Sequence, residues 1–541
     1  MGKNKRNNKH QQQQQQQKSS QPNEATSTTS TEKDKDTVAP ATGKPSVDEH
    51  RLKANKIALE ILEAVQRQPA NPNEEWQQYV QLQQLLEQMI VYEKPLQREE
   101  FPTGEDNCST QTRMDKLASF NAWAVAGGVK SSSVEIATFD GYQLGLRATR
   151  DLNAGEQVLS VPRQLIFSEE HLSEAQVFSY YPSLTNFHLA FALVIEKVRG
   201  AASNWKPYID ILPPRYNTVL YFTVEQMQLM RGTSAIAAAL RQCRGIARQY
   251  ASMYKCAYIQ PDDSIMTAMS VLFTQYGLCY DLYRWAVSTV MTRQNLVPRE
   301  KLPENKKLAA ELKKLPISAL IPFWDMANHR SGEITSFYDV KTKQMECAAQ
   351  EPFKTGDQFF IYYGDRSNAD LLVHNGFLDS QNAKDYVQIK LGLNPADVLA
   401  EQRSLLLNKL NIERKAELRV LPAPEHISGE LLAFVRVFNM SAAQLEHWCS
   451  DLERAVDLLH IDCALETDLE TRTWQYLYQR LKLLLGVLDA TLPAQAQEKL
   501  LAAETDAAGE REINAMLLEY RRLERCILND ALNYAQERLK V

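Results

Sequence analysis

The stretch Ile321-Pro322-Phe323-Trp324-Asp325-Met326-Ala327-Asn328-His329 is an apolar run that stops at an amide and an imidazole. Further along, Gln358-Phe359-Phe360-Ile361-Tyr362-Tyr363-Gly364-Asp365-Arg366-Ser367-Asn368 is a β-rich run that stops at a phenol and a glycine. Polar side chains at the ends of apolar strands are costly to bury unless paired, and such positions are where binding groups tend to sit. The chemistry on offer is hydrogen bonding and ring contact rather than metal ligation. The nine histidines are dispersed without ligand spacing, and the eight cysteines contain no CxxC pair, whereas a tetrahedral zinc site needs clustered thiolates or imidazoles. No P-loop phrase occurs, and the glycine-rich phrases lack the strand–GxGxxG–helix context of a dinucleotide site.

The elements that position these residues follow from pattern. The chain has 541 residues, more than one compact core usually holds, so two folded domains and a tail are expected. Hydrophobic content of 44%, charged content of 24% and a net charge of -6 fit a soluble globular protein without a dominant basic stripe, which gives no argument for a nucleic-acid partner. No apolar run is long enough to span a membrane, and the scattered cysteines fit reduced thiols in a cytoplasmic or nuclear compartment. Residues 1–48, with a Gln tract, read as a disordered tail. Trp76, Tyr79, Val80, Leu86, Met89 and Ile90 recur at helical spacing and predict an N-terminal helical brace within 49–131. Val134–Phe139 alternates as a strand. The phrase Leu152-Asn153-Ala154-Gly155-Glu156-Gln157-Val158 returns in similar form as Phe353-Lys354-Thr355-Gly356-Asp357-Gln358-Phe359, so two β units flank a long helical insert over about 183–295. Beyond about 385 the pattern is helical, with amphipathic faces through Trp474, Leu477, Leu481 and Leu485 and through Ile513, Leu517 and Tyr520.

The spacing of Thr292-Arg293-Gln294-Asn295, Trp324 to His329, Tyr362 to Asn368 and His374-Asn375-Gly376-Phe377 resembles the SET-domain methyltransferases, in the branch that carries a Rubisco large-subunit methyltransferase-like C-terminal domain and, within it, the members directed at a histidine of actin. The likeness runs from about residue 70 to the C-terminus. It implies an α+β fold: a SET β core with a helical insert over 132–364, followed by an all-helical substrate-binding domain over 365–541. It implies S-adenosylmethionine as co-substrate and no metal. Residue by residue, Arg113 and Arg293 would hold the methionine carboxylate. Tyr142, Gln143 and Leu144 would contact the co-substrate through backbone groups, although most of the branch has Gly-x-Gly where this chain has Gln143-Leu144-Gly145. Asn328 and His329 would bind the adenosine, within a segment that includes Asp325, Met326 and Ala327. Asn375, Gly376 and Phe377 would close over the adenine, Tyr363 would border the transferring methyl, and Arg248 and Arg366 would grip the substrate peptide. The Asn-His and Tyr-Gly segments of this fold form a threaded crossing, an exception to the rule against knots.

The acceptor is read from Asn295 and Trp324. Neutralising a lysine of pKa near 10.4 at pH 7 costs about 4–5 kcal/mol, whereas histidine is already mostly neutral there. A histidine-directed enzyme therefore needs chiefly to orient one ring nitrogen, by bonding the other and sandwiching the ring. The amide of Asn295 suits the first task and Trp324 the second; lysine-directed relatives tend to be aromatic at the position of Asn295. The resemblance also implies actin as protein partner, a monomer, and no nucleic acid or membrane partner. Two alternatives stand beside it: a protein-lysine methyltransferase on the same fold, and a non-enzymatic actin-binding scaffold. The cysteine-rich zinc motif of many histone-directed SET enzymes has no counterpart, since no cysteine lies between Tyr363 and Cys449.

Overall fold

The computed structural model describes residues 47–97, 110–171, 185–259, 266–302, 306–463, 465–492 and 508–540. Apart from its last two positions, the expected tail lies outside the described residues. The brace is two helices. Val47–Gln66 carries a stripe of Ala54, Ile57, Ala58, Ile61 and Val65, and Pro72–Glu93 carries Tyr79, Leu82, Leu85, Leu86 and Met89. Asn71 caps the second by accepting from the backbone N–H groups of Asn73 and Glu74, and Pro72 occupies the first turn, where a missing N–H costs nothing. Both helices pack on the long insert helix Ile236–Tyr258. The buried Glu93 pins them there: its carboxylate accepts from the Tyr280 backbone N–H at 2.9 Å and from the Tyr250 hydroxyl.

The β core comprises three small sheets. Strands β1 (Val134–Phe139), β2 (Gln143–Ala148), β3 (Gln157–Pro162) and β4 (Phe167–Ser168) precede the helical insert. Strands β5 (Asn295–Val297), β6 (Ile317–Leu320), β7 (Asn328–His329), β8 (Ser336–Asp339), β9 (Gln344–Ala348) and β10 (Gln358–Ile361) follow it. The sheet orders are β1-β2-β10-β7, β3-β9-β8 and β4-β6-β5. The two similar phrases seen in the sequence are structural counterparts that meet. Leu152 and Phe353 form an antiparallel bridge, and Ala148 and Gly356–Asp357 exchange backbone bonds at 2.9 Å. Each phrase turns on a left-handed glycine, Gly155 at φ 77° and Gly356 at φ 93°. In each, the following acid accepts from a backbone N–H three residues back, Glu156 from Asn153 and Asp357 from Lys354.

The insert ends in the helix Tyr280–Arg293, which delivers Arg293 at its last turn and Asn295 at the start of β5. After the β core the chain is helical as expected, with one correction to its all-helical reading. Strands β11 (Val387–Gly392) and β12 (Lys415–Val420) pair antiparallel in unbroken register. Their alternating burial is a period-2 signal too short to stand out beside the amphipathic helices. Two apolar cores result, one under the β sheets and insert, one in the C-terminal region. The last helix, Ala508–Arg538, serves both: Leu517, Leu518 and Tyr520 join the first, Leu528, Ala531 and Ala535 the second. Between them, the buried Arg521 donates to the carbonyl oxygens of Leu229 and Arg231 at 2.9 and 2.6 Å, and Glu524 accepts from the Ser234 backbone N–H at 2.9 Å.

Candidate active site

Two guanidinium groups and one carboxylate come together beneath β7 and the insert. Arg293 donates to the Asp325 carbonyl oxygen at 2.8 Å and lies 3.4 Å from its Oδ2. The fully buried Tyr208 donates its hydroxyl to the same Oδ2. Arg113 is buried nearby, donating to the Ile211 carbonyl oxygen at 2.8 Å and to the Gln143 Oε1 at 3.2 Å. Burial opposes the charge on Arg293, but Asp325 and the phenols of Tyr216, Tyr208 and Tyr363 raise its pKa above the usual range. Burial and the proximity of Arg293 lower Arg113 to about 10, still cationic at neutral pH. The cluster therefore keeps one uncompensated positive charge in a dry setting, and the buried Arg293 Nε has no acceptor among the described residues. A carboxylate is the group that fits.

Gln143 holds the place where the resemblance has glycine. It sits at φ 61°, a conformation that costs a side-chain-bearing residue about 1–2 kcal/mol. Its side chain instead anchors Arg113. The Tyr142 N–H donates to the Phe139 carbonyl oxygen at 3.1 Å, and the Leu144 carbonyl oxygen accepts from Asn328 Nδ2 at 3.0 Å, so part of this backbone is engaged within the fold. Gly145 is required for that approach, because a Cβ there would lie 2.8 Å from Asn328 Nδ2.

The Asn-His and Tyr-Gly segments lie side by side. β7 runs parallel to β10, with Asn328 opposite Phe360 and His329 opposite Ile361. His329 Nδ1 accepts from the Tyr363 backbone N–H at 3.2 Å, which leaves the ring proton on Nε2, 3.8 Å from Asp379 Oδ2. Burial lowers the pKa of His329 despite that carboxylate. Its ring is flanked by Tyr362, Tyr363 and Phe377 at centroid distances of 5.6, 5.1 and 5.8 Å. The Tyr363 hydroxyl donates to the Ala327 carbonyl oxygen at 2.8 Å, and burial pushes its pKa up to about 12. Asn375 accepts from Arg366 at 2.7 Å. Gly376 closes the turn at φ 77°, where a Cβ would strike the Asn217 carbonyl oxygen at 2.4 Å.

These elements enclose a cavity of about 190 Å³, lined among others by Arg293, Asn295, Trp324, Tyr363, Arg366 and Asn375. Asn295 Oδ1 accepts from the Leu296 backbone N–H at 2.7 Å, and Trp324 Nε1 donates to Ser336 Oγ at 2.9 Å. Asp325 also lines it, whereas Met326, Ala327, Asn328 and His329 form the wall behind, and Arg113, Tyr142, Gln143, Leu144, Gly376 and Phe377 stand outside the lining. Arg248 is exposed on the helix Ile236–Tyr258 and is not brought to the cavity. Among the described residues no cluster could hold a metal ion, and no helix is long and apolar enough to cross a membrane.

Sequence reasoning gave no role to several participants. Tyr208 lies in an unremarkable Trp-Lys-Pro-Tyr phrase. Ile334, Ser336 and Tyr362 line the cavity from β8 and β10 ends. The backbone of Phe323, at φ 73° and ψ −54°, was equally hidden. This γ-like kink in a buried phenylalanine throws Trp324 and Asp325 into the site and costs about 1–3 kcal/mol.

The fold defines the class. The model of the Rubisco LSMT substrate-binding family matches residues 394–528. The solved structure of Rubisco LSMT bound to AdoMet superposes with a TM-score of 0.59 at 16% identity, covering 79% of this chain and 92% of that one. The SET domain of LSMT bound to lysine and AdoHcy does so equally well, covering 78% and 91%. This is the SET-domain fold with a Rubisco LSMT-type C-terminal domain. The actin-histidine N-methyltransferase of Drosophila melanogaster is 57% identical over 100% of both chains. Those of Gallus gallus and Homo sapiens are 34% and 32% identical, over 81% and 88% of this chain and 70% and 77% of theirs. The chain belongs to the actin-histidine N-methyltransferase family.

Proposed function

We propose that this chain is an S-adenosylmethionine-dependent protein-histidine N-methyltransferase acting on the tele nitrogen of a histidine in actin. One juxtaposition carries the reading: the amide of Asn295, the indole of Trp324 and the phenol of Tyr363 line one cavity beside a buried cluster with a spare positive charge. Arg293 and Arg113 supply the cation for the methionine carboxylate. The Asn328–His329 and Asn375–Phe377 segments supply amide groups and rings for the adenosine. When bound, S-adenosylmethionine supplies the methyl group and leaves as S-adenosylhomocysteine.

The chain's own residues have little proton chemistry to do. Asn295 Oδ1 has two lone pairs and gives one to Leu296, so the other is free to accept the Nδ1–H of a neutral imidazole. That choice of tautomer leaves the Nε2 lone pair as nucleophile. Trp324 presents a ring face that fixes the imidazole plane, and Tyr363, its hydroxyl tied to Ala327, borders the transfer point. The product imidazolium returns its Nδ1 proton to solvent. The apolar Ile334, which lines the cavity and is 68% exposed, suits a protein segment rather than a small polar acceptor.

The test is purified full-length protein with S-adenosylmethionine and actin, read by mass spectrometry of the acceptor peptide. A single methyl group on a histidine is expected, absent when that histidine is alanine. Transfer persisting on a lysine of the variant would establish the lysine-directed alternative. Absence of S-adenosylmethionine binding heat in calorimetry would establish the scaffold.

A further inference from the structure

Trp324 is the only tryptophan on the cavity lining among the described residues, and its polar edge is already committed. Its Nε1–H donates to Ser336 Oγ at 2.9 Å, and Ser336 is itself a lining residue on β8. Ser336 faces Cys347 across the β8–β9 ladder. The buried Cys347 thiol, whose pKa burial raises to about 11 against the opposing effect of the nearby Ser336 hydroxyl and Trp324 indole, points at the Ala348 carbonyl oxygen at 3.9 Å. Hydroxyl, thiol and indole N–H thus lie near one another. The Ser336 bond is the polar tether of the indole, whose remaining contacts are apolar packing on the core; Trp324 follows the strained Phe323 in a single short turn, and its backbone does not fix its χ angles. The polar edge of the ring is thus turned to Ser336, and its tilt is tied to a hydroxyl on a neighbouring sheet.

We infer that Ser336 is a positioning residue for acceptor choice, holding the Trp324 ring in the plane against which the acceptor imidazole lies. The inference rests on the proposed histidine-directed reaction. A flat aromatic acceptor is sensitive to the tilt of the ring beneath it, whereas a flexible lysine chain is not. In this inference Ser336 acts through Trp324, to which its hydroxyl is bonded. Loss of its hydroxyl leaves the indole N–H facing only a weak sulfur acceptor and frees the ring to rock.

Steady-state kinetics on an acceptor peptide with histidine, and on the same peptide with lysine in its place, test this. Ser336→Ala is expected to lower kcat on histidine roughly tenfold, the value of one such hydrogen bond. The KM for S-adenosylmethionine and any rate on lysine should stay unchanged. Ser336→Thr, which keeps the hydroxyl, should restore the rate. In a Trp324→Phe background, which has no indole N–H, adding Ser336→Ala should have no further effect. Additive losses in that cycle, or a Ser336→Ala enzyme as fast as wild type on histidine, would overturn the inference. Should Ser336→Ala fail to fold, Ser336→Thr against the isosteric Ser336→Val makes the same comparison. A wild-type enzyme inactive on the histidine peptide would instead remove the functional reading beneath it.

Discussion

The Tyr363 hydroxyl donates to the carbonyl oxygen of Ala327 at 2.8 Å, and the Tyr363 backbone N–H donates to Nδ1 of His329 at 3.2 Å. One residue at the end of β10 thereby clamps both flanks of Asn328. The two segments that the chain order separates are locked into one wall of the cavity, and the phenol is fixed with its oxygen towards that wall.

Tyr363→Phe removes the hydroxyl and keeps the ring. The expected result is a fall in kcat of tenfold or more, with S-adenosylmethionine affinity changed by no more than about twofold, since the backbone bond to His329 survives. Single-turnover rates alongside calorimetry separate the two effects. An unchanged kcat would remove Tyr363 from the transfer step.

Arg293→Met leaves Asp325 buried without its cation. It should destabilise the fold by about 3–5 kcal/mol, as for other broken buried pairs, and weaken S-adenosylmethionine binding at least tenfold. Adding Asp325→Asn should restore most of the stability and none of the affinity. Thermal melts and calorimetry on both variants check this, and recovery of affinity in the double variant would show that Arg293 serves structure alone.

Gln143 combines a strained backbone with a useful side chain. Gln143→Gly should gain about 1 kcal/mol of stability from relief of φ while weakening S-adenosylmethionine binding, because Arg113 loses a partner. Gln143→Ala should lose on both counts. Denaturant midpoints and binding isotherms read the two quantities separately.

Asn295→Phe with Trp324→Ala removes the amide acceptor and opens the ring site. The ratio of histidine to lysine transfer should fall at least tenfold, measured by mass spectrometry of paired peptides. Full histidine selectivity in the double variant would refute the orientation argument.

Glu524 anchors the last helix, and burial, only partly offset by donation from Tyr520 and Ser234, pushes its pKa up to about 7. Its folded pKa thus exceeds the unfolded value of 4.5. The folded state binds the extra proton between those values, so stability falls as pH rises from about 4.5 to about 7, by about 3 kcal/mol at most from this group. Glu524→Gln should flatten that part of the pH–stability curve, read from denaturant midpoints in matched buffers. A variant with the wild-type slope would show that the carboxylate ionises freely in the fold.

Much of the fold was legible because it rests on local pattern. The helical brace, the strand Val134–Phe139, the insert and the two glycine-turn phrases each announce themselves by period or by turn chemistry. The ribbon β11–β12 did not, because two six-residue strands give little periodic signal among long helices.

For this protein, the sequence carried the motifs whose family resemblance implies the chemistry. An apolar run that contains Trp324 and closes on Asn328-His329, another closing on Tyr363-Gly364, and Asn295 upstream of both carry the resemblance to the SET fold, which implies a ring acceptor. Tertiary structure decided which of these groups are free to act. Trp324 spends its indole N–H on Ser336, Asn295 spends one lone pair on Leu296, and Gln143 trades backbone strain for a hold on Arg113. Two of these pairings, Trp324 with Ser336 and Gln143 with Arg113, join residues on different elements, and the second also depends on a backbone turned into an unfavourable region. Side-chain type specifies what a group can bond, but only packing specifies which partner is within 3 Å when water is excluded.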